Sequence, residues 1–358
     1  MGRGARMSVR VEVSGLVHRY ARGGPPSLDG ASLTAGKGEM LTVVGPSGSG
    51  KSTLLAIIAG LEDPESGTVM FGGRDVTAVP PQDRAVGLVL QGASLFPHLS
   101  VAGNVAFGLA ARGMAPADRE RAAGDWLSRV GLAGLGDRRA RQLSGGQAQR
   151  VALVRALAVE PDVLLLDEPL ASLDDQVRRE LQDVLRDLVA RTGVTGIMVT
   201  HDLAEAMSMG NSTALLIDGR VIAQGTPQQL FRRPATRRAA SFVGVSTFLR
   251  GRMRAGCLET PAGAIPIAGA HADADLVTVA IRPEDVRLAT TGDVRPGDTI
   301  IRGSAGASVF RGTHWDCTVD TALGPITAWT RVAPPRPGEA SGVRLDATDL
   351  FPVVDDTP

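Results

Sequence analysis

Nine consecutive residues, Gly45, Pro46, Ser47, Gly48, Ser49, Gly50, Lys51, Ser52 and Thr53, have the composition of a phosphate cradle. A glycine, four residues and then Gly-Lys-Ser let backbone amides turn toward an anion, and a helix starting there adds the positive end of its dipole. Lys51 would reach the outer phosphates of a nucleotide, and Ser52 would give its hydroxyl to a magnesium ion. The chain holds only two lysines, Lys37 and Lys51, against abundant arginine. That bias spares the one position where a compact ammonium is needed. Lys37, beside Gly38 in a turn, reads as solvated.

Other residues could complete such chemistry. Asp167 and Glu168 end the apolar run Val163-Leu164-Leu165-Leu166. Successive side chains on a strand alternate in direction, so Asp167 can hold magnesium through water while Glu168 orients an attacking water. His201 ends a second apolar run, 196–200, and is placed to contact a γ-phosphate. Gln91, after the run 85–90, could ligate the magnesium or hold a water, although strand-end glutamines commonly face solvent. Ser144-Gly145-Gly146-Gln147 opens a helix with a serine and two glycines, which is either a second anion site or an ordinary cap. Tyr20, the single tyrosine in a chain with 3% aromatics, either stacks on a purine base or covers a sheet edge. His98 has no partner at metal-like spacing and reads as a loop residue.

These residues need a scaffold that brings strand ends together. Alternation over 9–17 predicts a strand. The run 40–44 predicts a strand feeding the glycine loop, and 54–59 the helix after it. Residues 67–73 read as part of a hairpin. After Gln91 comes the segment 94–101, then a largely helical stretch to about 141, with apolar spacing around Trp126, Leu127, Val130 and Leu132. Run 163–166, apolar throughout, predicts a strand buried on both faces. Ser172 to Asp175 cap a helix through Leu188. Asp218-Gly219 joins 214–217 to 220–223 in a favoured hairpin turn. In an open α/β sheet ligands gather at the carboxyl ends of strands, where Gln91, Asp167, Glu168 and His201 all fall.

At 358 residues the chain has room for two domains. Thirty-eight basic and 38 acidic side chains balance to zero, which removes the broad electrostatic argument for nucleic acid or an anionic membrane surface. Cys257 and Cys317 lie far apart, outside metal-type spacing, and read as reduced and structural. No apolar run approaches the roughly 18 to 20 residues of a membrane-spanning helix, so the reading is of a cytosolic protein without its own anchor. Residues 1–7 are expected to be disordered, with Met7 an alternative start.

In order and spacing these segments resemble the ATP-binding subunit of ABC transporters, from about Val9 to Gly244. Tyr20 is similar to the base-stacking aromatic, Gly45 to Thr53 to the Walker A loop, Gln91 to the Q-loop and Leu143 to Gln147 to the signature. Val163 to Glu168 resemble Walker B, Ser172 to Asp175 the D-loop, and His201 the switch histidine. Ala148 departs from the more usual residue without touching phosphate chemistry, since Ser144, Gly146 and Gln147 remain, and Gly210-Asn211-Ser212, in place of a more usual charged tripeptide, could alter a loop contact. The resemblance implies an α/β P-loop NTPase cassette over 8–244. It would have a RecA-like core, an N-terminal antiparallel β subdomain and a helical insert at about 93–150. It also implies nucleotide contacts from Tyr20, the loop 45–53, Gln91, Ser144 to Gln147 and Asp174. Magnesium would be held by Ser52, Gln91 and Asp167, and hydrolysis carried by Glu168 and His201. In the family two subunits pack head to tail, so that the P-loop of one and the signature of the other enclose each ATP.

Beyond Gly244 glycine and proline punctuate short strands such as 276–281 and 317–319, which predicts a small β-barrel over 245–358 ending in a tail at Asp355. Residues 281–288, with 335–339 and 343–345, resemble the oligonucleotide-binding-type accessory barrel, TOBE-like, of ABC importer ATPases. There it aids dimerisation or regulation, and a small oxyanion could bind. Few aromatics and balanced charge argue against nucleic acid. The implied assembly is a peripheral ATPase homodimer, or a pair with a close paralogue, on the cytoplasmic face of the membrane. Its partners would be permease subunits and, indirectly, an extracytoplasmic solute-binding protein. Residues 247–251 and 258–263 favour ferric iron, sulfate or polyamine over sugars. A permease-free cassette acting on DNA or ribosomes predicts coiled-coil inserts, a second cassette or basic patches, and the sequence has none. A P-loop kinase would need an acceptor pocket in place of the signature.

Overall fold

The computed structural model describes residues 8–21, 23–171, 173–269, 272–289 and 299–356. The expected disordered start at 1–7, Ser172 of the helix cap and the last two residues of the expected tail lie outside them. The chain divides into two compact units, Met1–Gln228 and Gln229–Pro358.

In the first unit the strands are β1 (Val11–His18), β2 (Leu28–Ala35), β3 (Met40–Val44), β4 (Ser66–Phe71), β5 (Arg74–Asp75), β6 (Val86–Val89), β7 (Val163–Asp167), β8 (Thr195–Thr200), β9 (Ser212–Ile217) and β10 (Arg220–Gly225). The helices are α1 (Lys51–Ala59), α2 (Val101–Ala111), α3 (Pro116–Arg129), α4 (Gly145–Ala158), α5 (Asp175–Thr192) and α6 (Leu203–Met209). An antiparallel sheet runs β2-β1-β4-β5, and a six-stranded sheet runs β10-β9-β3-β8-β7-β6. All neighbours in the second are parallel except β10 with β9.

Burial follows from sequence pattern. β3 is apolar apart from Thr42 and buried at every position, as suits a strand covered on both faces. One apolar layer packs the antiparallel sheet and α1 against the parallel sheet, joining Leu16, Leu28, Ile57, Leu165 and Val199. The other face carries Leu164, Leu166 and Met198 beneath α2 to α5. α5 runs past the predicted end at Leu188 to Thr192, where Gly193 closes it in the left-handed conformation with φ 66°.

Register sets the site. Val89 pairs with Leu166, Asp167 with Val199, and Val44 with Thr200. Gln91, Glu168, His201 and the glycine loop therefore all leave the sheet along one edge.

The division between the units falls within the helix α7 (Pro227–Arg232), before the expected boundary after Gly244. The reason is packing: on α8 (Arg237–Phe242), Ala240 joins Val245, Ala280, Phe351 and Val353 in one apolar cluster. The second unit continues with β11 (Thr247–Arg254), β12 (Cys257–Thr260), β13 (Gly263–Pro266), β14 (Ala274–Ile281), β15 (Arg287–Ala289), β16 (Thr299–Phe310), β17 (Trp315–Thr321), β18 (Gly324–Thr330), β19 (Ala340–Leu345) and β20 (Phe351–Val353). Two five-stranded antiparallel sheets, β13-β12-β11-β14-β20 and β15-β19-β16-β17-β18, share one core through Leu249, Leu258, Val279, Ile301, Val319, Ile326 and Val343. Cys317 is buried, and both cysteines are free. The start of the expected tail is tied down: Asp355 pairs with Arg237 and Arg250, and Asp356 accepts from the Arg238 amide at 2.9 Å.

Candidate nucleotide-binding site

The loop between β3 and α1 is shaped by glycine. At Gly50 φ is 99°, and a Cβ there would lie 2.2 Å from the Ser27 carbonyl oxygen; a Cβ on Gly45 would lie 1.9 Å from that of Leu216. At these two positions only a hydrogen fits. Lys51 folds back, its Nζ donating to the Gly45 and Pro46 carbonyls at 2.9 and 2.8 Å. Burial lowers its pKa, opposed by the charges of Glu168 and Asp167. A buried ammonium on two carbonyls of a glycine turn suits exchange of those carbonyls for phosphate oxygens. Ser49 Oγ is buried with no partner among the described residues. These features fit a nucleoside triphosphate.

Beyond the loop, Ser52 Oγ donates to Asp167 Oδ1 at 3.3 Å. Burial raises the Asp167 pKa, with the Ser52 bond and Lys51 pulling it down and Glu168 pushing it up. A half-buried carboxylate and a hydroxyl side by side are oxygen ligands of the kind a hard divalent cation takes. Glu168 has φ 43°, strained for a residue with a side chain, and its amide donates to the Val199 carbonyl at 3.0 Å. That kink turns it from the strand line toward its neighbours. His201 Nδ1 donates to Glu168 Oε1 at 3.0 Å, and Gln91 Nε2 approaches Oε2 at 3.4 Å. Gln91, Glu168 and His201 thus meet around one carboxylate.

Tyr20 stands at the rim, 67% exposed, its hydroxyl 3.0 Å from Thr53 Oγ1 and its ring edge-on to His18 at 4.8 Å. The buried His18 Nδ1 is anchored on the Asp63 carbonyl at 3.0 Å. The ring is thus left in solvent while held from two sides.

The remaining predicted residues form no hydrogen bond with this cluster among the described residues. Ser144 caps α4 in a reciprocal box with Gln147: the Gln147 amide donates to Ser144 Oγ at 3.3 Å and the Ser144 amide to Gln147 Oε1 at 3.1 Å. Gly145 and Gly146 are the first residues of α4, and Asp174 caps α5 by accepting from the Val177 amide at 3.0 Å.

Two structural residues escaped the sequence reading. Asn104, fully buried on α2, takes the Phe96 amide on its oxygen at 2.8 Å and donates to the Phe96 and Ser100 carbonyls at 3.1 and 3.0 Å. It pins the segment after Gln91. Arg84, 3% exposed, donates to the Ile57, Ile58, Thr77 and Val79 carbonyls and so closes the end of α1. An asparagine in an apolar helix was a usable signal for the first; a lone arginine after a proline turn gave none for the second.

Strand, glycine loop, helix and a carboxylate pair at the next strand but one define a P-loop nucleotide hydrolase. The ABC transporter family model matches residues 28–171 and the TOBE domain model residues 279–353. The Fe(3+) ions import ATP-binding protein FbpC of Streptomyces coelicolor is 40% identical over 330 residues, covering 92% of this chain and 93% of that one. The spermidine/putrescine import ATP-binding protein PotA of Frankia alni is also 40% identical, covering 87% of this chain and 71% of that protein. Among solved structures, a dimeric post-hydrolysis ATP-binding cassette bound to ADP and Pi matches with TM-score 0.55 and 31% identity, over 61% of this chain and 98% of that one. The chain belongs to the ABC transporter ATPases and carries a C-terminal TOBE domain.

Proposed function

We propose that this chain is the ATPase of an importer, acting as a head-to-tail dimer on membrane permease subunits that receive solute from an extracytoplasmic binding protein. What supports the hydrolytic part most directly is the shared strand edge, where Lys51, Ser52 and Asp167 stand beside a Glu168 carboxylate held by His201 and Gln91. Tyr20 stacks on the base, the loop from Gly45 to Thr53 wraps the phosphates, and Lys51 leaves its two carbonyls for the outer phosphates. Ser52, Asp167 and Gln91 hold a magnesium ion, which when bound offsets charge developing on the phosphate oxygens. Glu168 orients a water in line with the γ-phosphorus. As the new P–O bond forms, the β–γ bridging bond breaks, a water proton passes to Glu168, and ADP and phosphate result. His201 keeps Glu168 aimed and contacts the γ-phosphate. Ser144 to Gln147 and Asp174 act across the dimer, on nucleotide held by the other subunit's loop, which accounts for their separate bonding in one chain.

Relatives named for ferric iron, polyamine and sulfate/thiosulfate import support a small cation or inorganic ion as the solute. Among the described residues no helix is long and apolar enough to cross a membrane. Attachment at the cytoplasmic face would then run through the permease, by the surface at Gln91 and residues 96–101. The test is copurification: tagged Glu168→Gln protein extracted gently from membranes with ATP should bring integral membrane subunits with it. Recovery of a soluble dimer alone, or with ribosomes or DNA-bound proteins, would overturn the transport reading.

A further inference from the structure

We propose that Glu205 is a positioning residue for His201, acting through the Thr200 hydroxyl. The proposal rests on the role given to His201 and Glu168 above. Glu205, the third residue of α6, is 5% exposed, and its Oε2 accepts from Thr200 Oγ1 at 2.6 Å. The same hydroxyl oxygen accepts the Asp202 amide at 3.0 Å, and Asp202 Oδ1 accepts the Glu205 amide at 3.0 Å. These three bonds close a ring through residues 200, 202 and 205. His201, between Thr200 and Asp202, faces outward, its side chain 54% exposed and bonded to Glu168 at 3.0 Å.

The ring needs the carboxyl for one purpose. Asp202 already caps α6, so Glu205 is superfluous as a cap, and burying a carboxyl is unfavourable unless it gains specific partners. Thr200 has a single hydroxyl hydrogen; given to Glu205, it leaves the oxygen's lone pairs for the Asp202 amide. Without that acceptor the hydroxyl is free to rotate and the turn carrying His201 loses its fixed edge. Glu205 Oε1 meets no donor among the described residues. Burial raises the carboxyl's pKa; the Thr200 bond and the charges of Arg178 and His201 lower it, and Asp202 raises it further. Arg178, from α5, also donates to the Leu173 carbonyl at 2.9 Å, so the groups facing Glu205 include one that steadies the segment after Glu168.

The test is steady-state ATP hydrolysis by the full-length protein, with variants combined in pairs. Glu205→Ala and Thr200→Val should each lower kcat about tenfold, ~1.4 kcal/mol in barrier, with the ATP KM within about twofold of wild type. Glu205→Gln, whose amide oxygen still accepts from Thr200, should keep most of the rate. On a His201→Ala background neither change should lower kcat further, because both act through the imidazole. Rates that multiply on that background, or a raised KM at unchanged kcat, would mark Glu205 as merely structural and overturn the proposal alone. A wild-type rate for His201→Ala itself would overturn it together with the role given to the histidine. Should Glu205→Ala fail to fold, Thr200→Val carries the same test.

Discussion

Removing the Tyr20 ring separates nucleotide binding from hydrolysis. The ring is 67% exposed and its own contacts are few, an edge-on approach to His18 and a hydroxyl bond to Thr53. Tyr20→Ala therefore leaves the fold within about 0.5 kcal/mol of wild type, the usual range for exposed positions. Base stacking on an aromatic side chain contributes roughly 1–3 kcal/mol. The dissociation constant for ATP should then rise about 5- to 150-fold. Tyr20→Phe should bind nearly as well as wild type, since the stacking face survives the loss of the Thr53 bond. GTP should lose as much as ATP, because stacking reads a purine face and not its hydrogen-bonding edge. Titration of a fluorescent nucleotide measures the affinity, and hydrolysis at saturating ATP measures kcat, which should hold within about threefold. An unchanged affinity in Tyr20→Ala would refute the stacking argument and leave the ring as cover for a sheet edge.

Asp167→Asn should abolish magnesium-dependent turnover yet raise the thermal midpoint of nucleotide-free protein. Because burial raises this carboxyl's pKa, the folded state favours its neutral form; above the raised value the charge counts against folding, and asparagine removes it while still accepting from Ser52. A lowered midpoint would contradict this. Asn104→Leu, close in volume, strips the Phe96 amide and the Phe96 and Ser100 carbonyls of their side-chain partner, and should destabilise the first unit by about 1–3 kcal/mol. Hydrogen exchange should quicken at residues 94–100, and unchanged protection there would show that Asn104 does not hold the segment.

The site was largely legible because its chemistry is carried by contiguous residues at strand ends. Largely apolar runs of four or five residues before Gly45, Asp167 and His201 fixed strand, edge and direction together. Three features were not legible. The left-handed backbone of Glu168 comes from its amide bond to Val199, a tertiary partner 31 positions on. Glu205 is a polar group whose burial depends on neighbouring elements, and α/β periodicity reads it as surface. The boundary between units moved because a short helix ahead of Gly244 packs on β14 and β20, strands that come well after it in the chain. Asp355 and Asp356 read as a tail for the same reason, since the arginines that hold them lie on α8 and β11.

Glu168→Gln tests the central claim most directly. The carboxamide keeps the shape of the side chain but cannot take the water's proton, so hydrolysis should fall by at least a hundredfold, of the order general-base catalysis contributes. ATP binding should persist, and size-exclusion chromatography with ATP should show a stable dimer that wild type forms only transiently. Normal turnover in Glu168→Gln would contradict the assignment of Glu168 as the base and, with it, the account of the site.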